Sequence, residues 1–449
     1  MTFPADRIPS EPGEARLLGL YPQRQDGLWM QRVKVLGGAL SPEQWRGLAE
    51  IARRHTPGTP LHLTTRQDVE LHNLTAGRIP AVQRGIADVG LTCVGACGDT
   101  LRNLTVCPCS GAAAGRVDLF PVAWAIRRRL EAEEGIASLP RKFKIALACG
   151  EGCGQPWIND LGLVAAQRDG AWGFRAIGAG SLGAKPATGI ELLEWLPAAD
   201  VLPLAVAAIR VFSEHGDREN RRRARLRHAR ERVGDEAFAA LLRKALDDAK
   251  GEGGWPPVEL HERLDGFGAA LTLTFANGDV TPNQAEALGD LGSREGLCVR
   301  VAPHHRVVVW GRGDASVREG VGQHADLAGA ARPQPAVVAC PGTRWCSRGL
   351  VDTRAMADRV RAELGAALPA TATVCISGCP NGCSHPAVAD FGLLGCVGTR
   401  EGERGDAYHL VVGGGLGRDG RLAERIGVKL SPDEAIAAIL ELTASEAVR

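Results

Sequence analysis

The sequence predicts an α+β protein built from two copies of one plan, related by a pseudo-twofold axis, with one site in the crevice between them. Two internal repeats and one cysteine pattern point to this. The first repeat has a constant offset of 240 residues. Residues 30–35 read as a strand, Gly37-Gly38 as a turn, Ser41 as the N-cap of a helix and residues 60–72 as a second strand. Residues 267–310 repeat the order, with a turn at Asn277-Gly278, a helix start at Thr281 and Arg306 in the place of Arg66. Both helix starts carry the same chemistry: Ser41 or Thr281 as cap, Pro42 or Pro282 first, and Gln44 or Gln284 three residues after the cap. That pattern is a capping box with proline at the first helical position.

The second repeat has an offset of 230 residues. Cys149, Gly152, Cys153, Pro156, Asp160, Gly162 and Leu163 meet Cys379, Gly382, Cys383, Pro386, Asp390, Gly392 and Leu393. Two independent blocks, in the same order and at nearly the same offset, are the mark of a duplicated chain.

Composition narrows the class. The chain has 449 residues, enough for about three ordinary domains. Lys plus Arg is 53 and Asp plus Glu is 52, a net charge of +1 that argues against a general nucleic-acid binder. A hydrophobic fraction of 45% with 23% charged residues excludes a disordered chain. No apolar run is long enough to cross a membrane, and residues 1–16 have no apolar signal core. The expectation is a cytoplasmic, reduced protein, in which thirteen cysteines bind metal or do redox work rather than pair as disulfides. Residues 217–230 hold a dense run of arginines. They read as a helix with a solvated face, or alternatively as a contact for an anionic cofactor or partner.

Cys340 and Cys346 are spaced C-x5-C, and Cys379 and Cys383 are spaced C-x3-C. Between the pairs a helix is expected over 353–364. Four thiolates from two loops rich in Gly and Pro can surround one [4Fe–4S] cluster. Zinc is the alternative, although its usual pairs are closer than x5.

Ser377-Gly-Cys-Pro-Asn-Gly-Cys383 and Ala339-Cys-Pro-Gly-x-x-x-Cys346 resemble the cluster motif of the sirohaem-dependent sulfite and nitrite reductases. Further motifs follow in that family's order: Gly19-Leu-Tyr-Pro-Gln-Arg-Gln25, Met30-Gln-Arg-Val-Lys34, Leu63-Thr-Thr-Arg-Gln67, Ala96-Cys-Gly-Asp-Thr-Leu-Arg-Asn103 and Leu139-Pro-Arg-Lys-Phe-Lys144. The resemblance runs from about Gly19 to Gly413-Gly-Gly-Leu-Gly417. It implies two ferredoxin-like half-domains, 1–78 and 259–315, two cofactor-binding α/β lobes, 79–215 and 316–449, and a basic helical linker, 216–258.

The resemblance also implies the chemistry. Cys340, Cys346, Cys379 and Cys383 would hold a [4Fe–4S] cluster, with the Cys383 thiolate shared with the iron of sirohaem. Arg32, Arg102, Lys142 and Lys144 would bind the oxyanion, and Arg66 and His72 would hold the carboxylate-rich macrocycle. Extended backbone would place Lys142 and Lys144 on one face, with Phe143 on the other. The implied reaction is six-electron reduction of sulfite to sulfide. Nitrite to ammonia is the same-site alternative, and Lys144 favours sulfite because nitrite reductases commonly carry Asn there.

A monooxygenase like precorrin-3B synthase, or a non-catalytic iron–sulfur or zinc protein, are remoter readings. No flavin or NAD motif stands out, so electrons would come from ferredoxin or a separate flavoprotein; no nucleic-acid or membrane partner is expected. Gly415-Leu-Gly-Arg-Asp-Gly420 matches G-x-G-x-x-G but lacks the following βαβ unit. His62 and Glu70 stand where relatives often have Arg and Gln, and Thr100 replaces a cysteine that some relatives crosslink to the tyrosine matching Tyr21. Cys93, Cys97, Cys107, Cys109, Cys149 and Cys153 read as echoes of the duplication, with a second metal site as the alternative. Cys298, Cys375 and Cys396 read as structural.

Overall fold

The computed structural model describes residues 8–9, 11–400, 403–416 and 420–445. Strands β1 (Leu20–Pro22), β2 (Leu28–Val33), β3 (Leu61–Leu63) and β4 (Val69–Thr75) open the chain. There follow β5 (Thr105–Val106), β6 (Arg116–Val117), β7 (Ile145–Ala148), β8 (Leu161–Arg168), β9 (Ala171–Gly178) and β10 (Ile190–Pro197). After β11 (Glu262–Arg263) the plan restarts with β12 (Ala269–Thr274), β13 (Asp279–Val280), β14 (Leu297–Ala302) and β15 (Arg306–Gly311). The last set is β16 (Ala336–Ala339), β17 (Thr373–Ser377), β18 (Phe391–Arg400), β19 (Glu403–Val412) and β20 (Glu424–Leu430).

The duplication is visible in the sheets. One lobe orders its strands β10-β9-β8-β7-β5 and the other β20-β19-β18-β17-β16. In each, the first three strands in sequence are parallel and the last two turn antiparallel. The two half-domains are fused more tightly. The sheet of the first is β1-β2-β4-β3-β13, so a strand of the second half closes its edge through Asp279↔His62 and Val280↔Leu61. One hydrophobic core runs through both, from Trp45, Leu48 and Leu63 to Phe275, Leu288 and Val301.

Both predicted capping boxes form, Ser41 with Gln44 and Thr281 with Gln284, at the starts of helices Pro42–His55 and Pro282–Gly292. The two helices pack on each other. A Cβ on Gly289 would stand 2.8 Å from the carbonyl of Pro42, so the backbones approach closely only because a hydrogen is there. The predicted turns form too, and each inserts a glycine into the other half. Gly38 (φ +71) has its open side 2.3 Å from the Val301 carbonyl, and Gly278 (φ +72) faces the Leu63 carbonyl at 2.8 Å.

Two expectations are corrected. The strand expected over 60–72 is a hairpin, β3 and β4, joined by a turn without Gly or Pro. Thr64 Oγ1 accepts the backbone N–H groups of Arg66 (3.3 Å) and Asp68 (3.0 Å), and Gln67 takes φ +64. Alternation alone reads straight through such a turn. The helix expected over 217–230 starts only at Leu226, as Leu226–Val233. Asp217 Oδ1 accepts the N–H of Glu219 (3.0 Å) and Asn220 (2.7 Å), which gives the backbone a local alternative to helix. The helix expected over 353–364 forms as Thr353–Arg359 and continues as a π turn over Val360–Leu364.

Candidate functional site

Cys340 is the first residue after β16, and Cys379 follows β17 after one glycine. These strands are parallel neighbours, so both cysteine loops leave the same edge of one sheet. Gly342 (φ +53) lets the first loop turn: a Cβ there would meet Thr353 Oγ1 at 2.3 Å. Thr353 Oγ1 in turn donates to the Cys340 carbonyl at 2.5 Å. The N–H of Gly378 donates to Cys340 Sγ at 3.1 Å. Backbone N–H groups of Arg348 and Gly349 point at the Cys346 sulfur, and that of Asn381 at Cys379. Burial, then the neighbouring Cys383, pushes the Cys340 thiol up to about 12. Sulfurs that receive backbone donors while being costly to ionise suit thiolates held by a metal, and four on two loops fit a [4Fe–4S] cluster.

Cys383 is the exposed member of the four, and its carbonyl accepts Thr65 Oγ1 at 3.0 Å. Its charge acts directly on Lys142. The cluster loop therefore meets a nest of cations. Burial, then Arg225 and Arg102, push Lys142 down to about 7. Burial, then Arg66, Lys142, Arg225 and Arg102, push Lys144 well below its ordinary value. Phe143 is wholly buried between the two lysines, as the alternation predicts. Arg66 sits in the β3–β4 turn and donates to Asn159 Oδ1 (2.5 Å) and to the Asn103 carbonyl (2.7 Å). Burial lowers it to about 9. The Nε groups of Arg66 and Arg102 are buried without a partner in the protein. Cations in excess, with spare donors, fit a ligand bearing several carboxylates such as sirohaem.

Two carboxylates balance part of this charge. Asp160 pairs with Arg225 at 2.8 Å. Asp68 accepts the Val35 N–H at 3.2 Å, and burial raises its carboxyl to about 6 although Arg32, Arg102 and Arg66 oppose this. Arg225 is a site residue the sequence reading missed. The basic run was visible, but nothing in it separates Arg225, buried against Asp160, from the buried Arg227 or from the exposed Arg221, Arg222 and Arg223.

Arg102, Lys142, Lys144 and Arg66 are brought together. Arg32 is linked to Arg102 through the buried Cys97 and Asp68, on both of which the two arginines act. Glu70 accepts Arg32 Nε at 2.9 Å on one oxygen and meets His72 Nε2 at 3.1 Å on the other. Burial alone would raise the Glu70 carboxyl, but Arg32 and His72 hold it well below its ordinary range. His72 also meets Gln23 Oε1 at 3.1 Å and stacks on Trp345 at 4.1 Å, inside the C-x5-C loop. The unusual His62 pairs with Asp279 at 3.3 Å, and Asp279 also binds Arg354. Both unusual residues are thus matched by partners within the chain. Thr100 Oγ1 donates to the Ile136 carbonyl at 2.6 Å, so the position of the crosslinking cysteine holds a structural hydroxyl. Residues 417–419 of the Gly415–Gly420 motif lie outside the described residues.

The chain matches two family models: the nitrite and sulphite reductase 4Fe-4S domain at residues 97–250 and 334–444, and the nitrite/sulfite reductase ferredoxin-like half domain at residues 21–89. An assimilatory ferredoxin-dependent nitrite reductase of Haloferax mediterranei is 30% identical, over 94% of this chain and 80% of the relative. A sulfite reductase [ferredoxin] of Mycobacterium tuberculosis is 27% identical, over 94% of this chain and 83% of the relative. The solved structure of the M. tuberculosis NirA protein superposes with a TM-score of 0.82 at 24% identity, covering 96% of this chain and 86% of that one, a match of fold. Among the described residues no helix is long and apolar enough to cross a membrane.

Proposed function

The chain belongs to the nitrite and sulphite reductase family, and on that premise we propose that it reduces sulfite to sulfide with electrons taken from ferredoxin. The observation that carries the substrate choice is Lys144, packed with Lys142, Arg102 and Arg225 beside the exposed Cys383. When bound, a [4Fe–4S] cluster and sirohaem would supply stored electrons and the iron at which the anion is reduced. Cys340, Cys346, Cys379 and Cys383 would hold the cluster, and Arg66 and Arg225 would bind the macrocycle's carboxylates. Arg102, Lys142 and Lys144 hold the anion's oxygens, whose charge they neutralise as bonds to sulfur break. Lys142 Nζ, brought to about 7, gains and gives up a proton at neutral pH, which suits a reaction that releases each oxygen as water. Glu70 fixes Arg32 and, through His72 and Trp345, ties that arginine to the cluster loop.

The second reading is nitrite to ammonia, favoured by the Haloferax relative and by the Arabidopsis thaliana ferredoxin–nitrite reductase, 28% identical over 91% of this chain and 74% of the relative. Steady-state turnover of the holoenzyme with reduced ferredoxin separates the two by kcat/KM. Sulfite is expected to lead, and Lys144→Asn to move the preference toward nitrite by about tenfold, the worth of one charged contact. A wild-type preference for nitrite would overturn the proposal.

A further inference from the structure

We propose that Cys107, Cys109, Cys149 and Cys153 bind one zinc ion in a closed structural site, distinct from the cluster and independent of the substrate assignment. These four cysteines stand at the pseudo-twofold image of the cluster loops. Cys107 is the first residue after β5 and Cys149 the first after β7, and those strands are parallel neighbours, as β16 and β17 are. Cys149-x3-Cys153 keeps the spacing of Cys379-x3-Cys383, but C-x-C at Cys107 replaces C-x5-C at Cys340.

The shorter first loop changes the size of the nest. Cys107 Sγ lies 3.1 Å from Cys149 Sγ and 3.5 Å from Cys109 Sγ, and Cys109 Sγ lies 3.3 Å from Cys153 Sγ. The sulfurs of Cys107, Cys109 and Cys153 all fall within 4.8 Å of one another, and Cys149 joins them through its 3.1 Å contact with Cys107. A tetrahedral zinc with bonds of about 2.3 Å holds its thiolates about 3.8 Å apart. A cubane offers a different iron to each thiolate and needs a wider ring. Contacts of 3.1–3.5 Å between these sulfurs are spaced for the first case.

The surroundings suit a closed site. Cys107 is 1% exposed and Cys149 5%. The N–H of Cys149 donates to Cys107 Sγ at 3.1 Å, and Cys149 Sγ donates to the Val117 carbonyl at 3.3 Å, a bond it gives up when zinc replaces its proton and the proton leaves to water. Arg116 reaches within 3.4 Å of the open side of Gly150 and offsets the negative charge of four thiolates on one divalent ion. Four thiols are weak partners for one another, so contact among them is little reward for their burial without a metal. With zinc, the loop from Cys149 is stapled to β5. That loop carries Gln155, which reaches the Thr65 carbonyl at 3.4 Å and His385 at 3.3 Å, and so braces the turn bearing Arg66.

Metal analysis of the purified full-length holoenzyme tests this. About five iron atoms and about one zinc per chain are expected. Zinc-edge X-ray absorption should show four sulfurs at about 2.3 Å. The double variant C109S/C153S should lose at least nine tenths of the zinc while keeping its iron and its haem absorption. About nine iron atoms with no zinc, about six iron atoms, or five iron atoms and no zinc would each overturn the assignment on the wild-type protein alone, whether or not the variant folds.

Discussion

Asp279→Asn is expected to loosen the joint between the half-domains and the cluster loop. Asp279 lies in β13, meets His62 of β3 and binds Arg354, whose guanidinium in turn covers Trp345 at 4.3 Å. Burial would raise this carboxyl, but hydrogen bonds and charge from His62 and Arg354 prevail and bring it from 3.8 to about 2. That difference corresponds to about 2 kcal/mol of stability. The folded pKa lies below the unfolded one. The contribution is therefore fully present above about pH 5 and is lost only as the pH falls through 3.8 toward about 2. For a chain of this length unfolding as one unit, the variant should melt about 2–3 °C lower at pH 7. Differential scanning calorimetry of both holoproteins between pH 5 and pH 8 provides the measurement. An unchanged melting temperature, or a gap that grows steadily between pH 5 and pH 8, would refute the reasoning.

Glu70→Gln removes the charge that balances Arg32, so KM for sulfite should fall about threefold to tenfold; an unchanged KM would mean that Arg32 does not act on the anion. Lys142→Arg holds a fixed charge, whereas Lys142 loses its proton as pH rises past about 7. Wild-type anion affinity should therefore weaken from pH 6 to pH 9, and the variant's should stay flatter; parallel profiles from titration of the oxidised holoenzyme would contradict this. Gly38→Ala adds a methyl 2.3 Å from the Val301 carbonyl at φ +71 and should cost about 3 kcal/mol or more. Gly27→Ala, at the same φ but with nothing within 4 Å, should cost about 1 kcal/mol. Equal melting points for the two variants would show that the contact between halves is slack.

The sequence was most legible where chemistry repeats at fixed spacing. The capping boxes and the glycine turns are local patterns, and each forms where expected. Burial was not legible. Arg225 is one arginine in a basic run, and only the fold brings it against Asp160, 65 positions away. Glu70 is matched for the same reason: Arg32, its partner, is 38 residues distant and directly across the ladder from β2 to β4. The hairpin at residues 64–68 was hidden because Thr64 makes that turn with a hydroxyl rather than with Gly or Pro. The first-half cysteines showed a familiar spacing, but the gap between their sulfurs, which decides what they can hold, exists only in three dimensions.

The strand that crosses from one half to the other also bears on how the chain is made. β3 has no partner on its outer edge until β13, more than 200 residues later, has been synthesised. The nascent first half therefore leaves the ribosome with an open sheet edge and half a core, a state prone to wrong pairing. Contacts this distant in sequence close slowly. Synthesis of the two halves as separate chains should strand each with an unpaired edge.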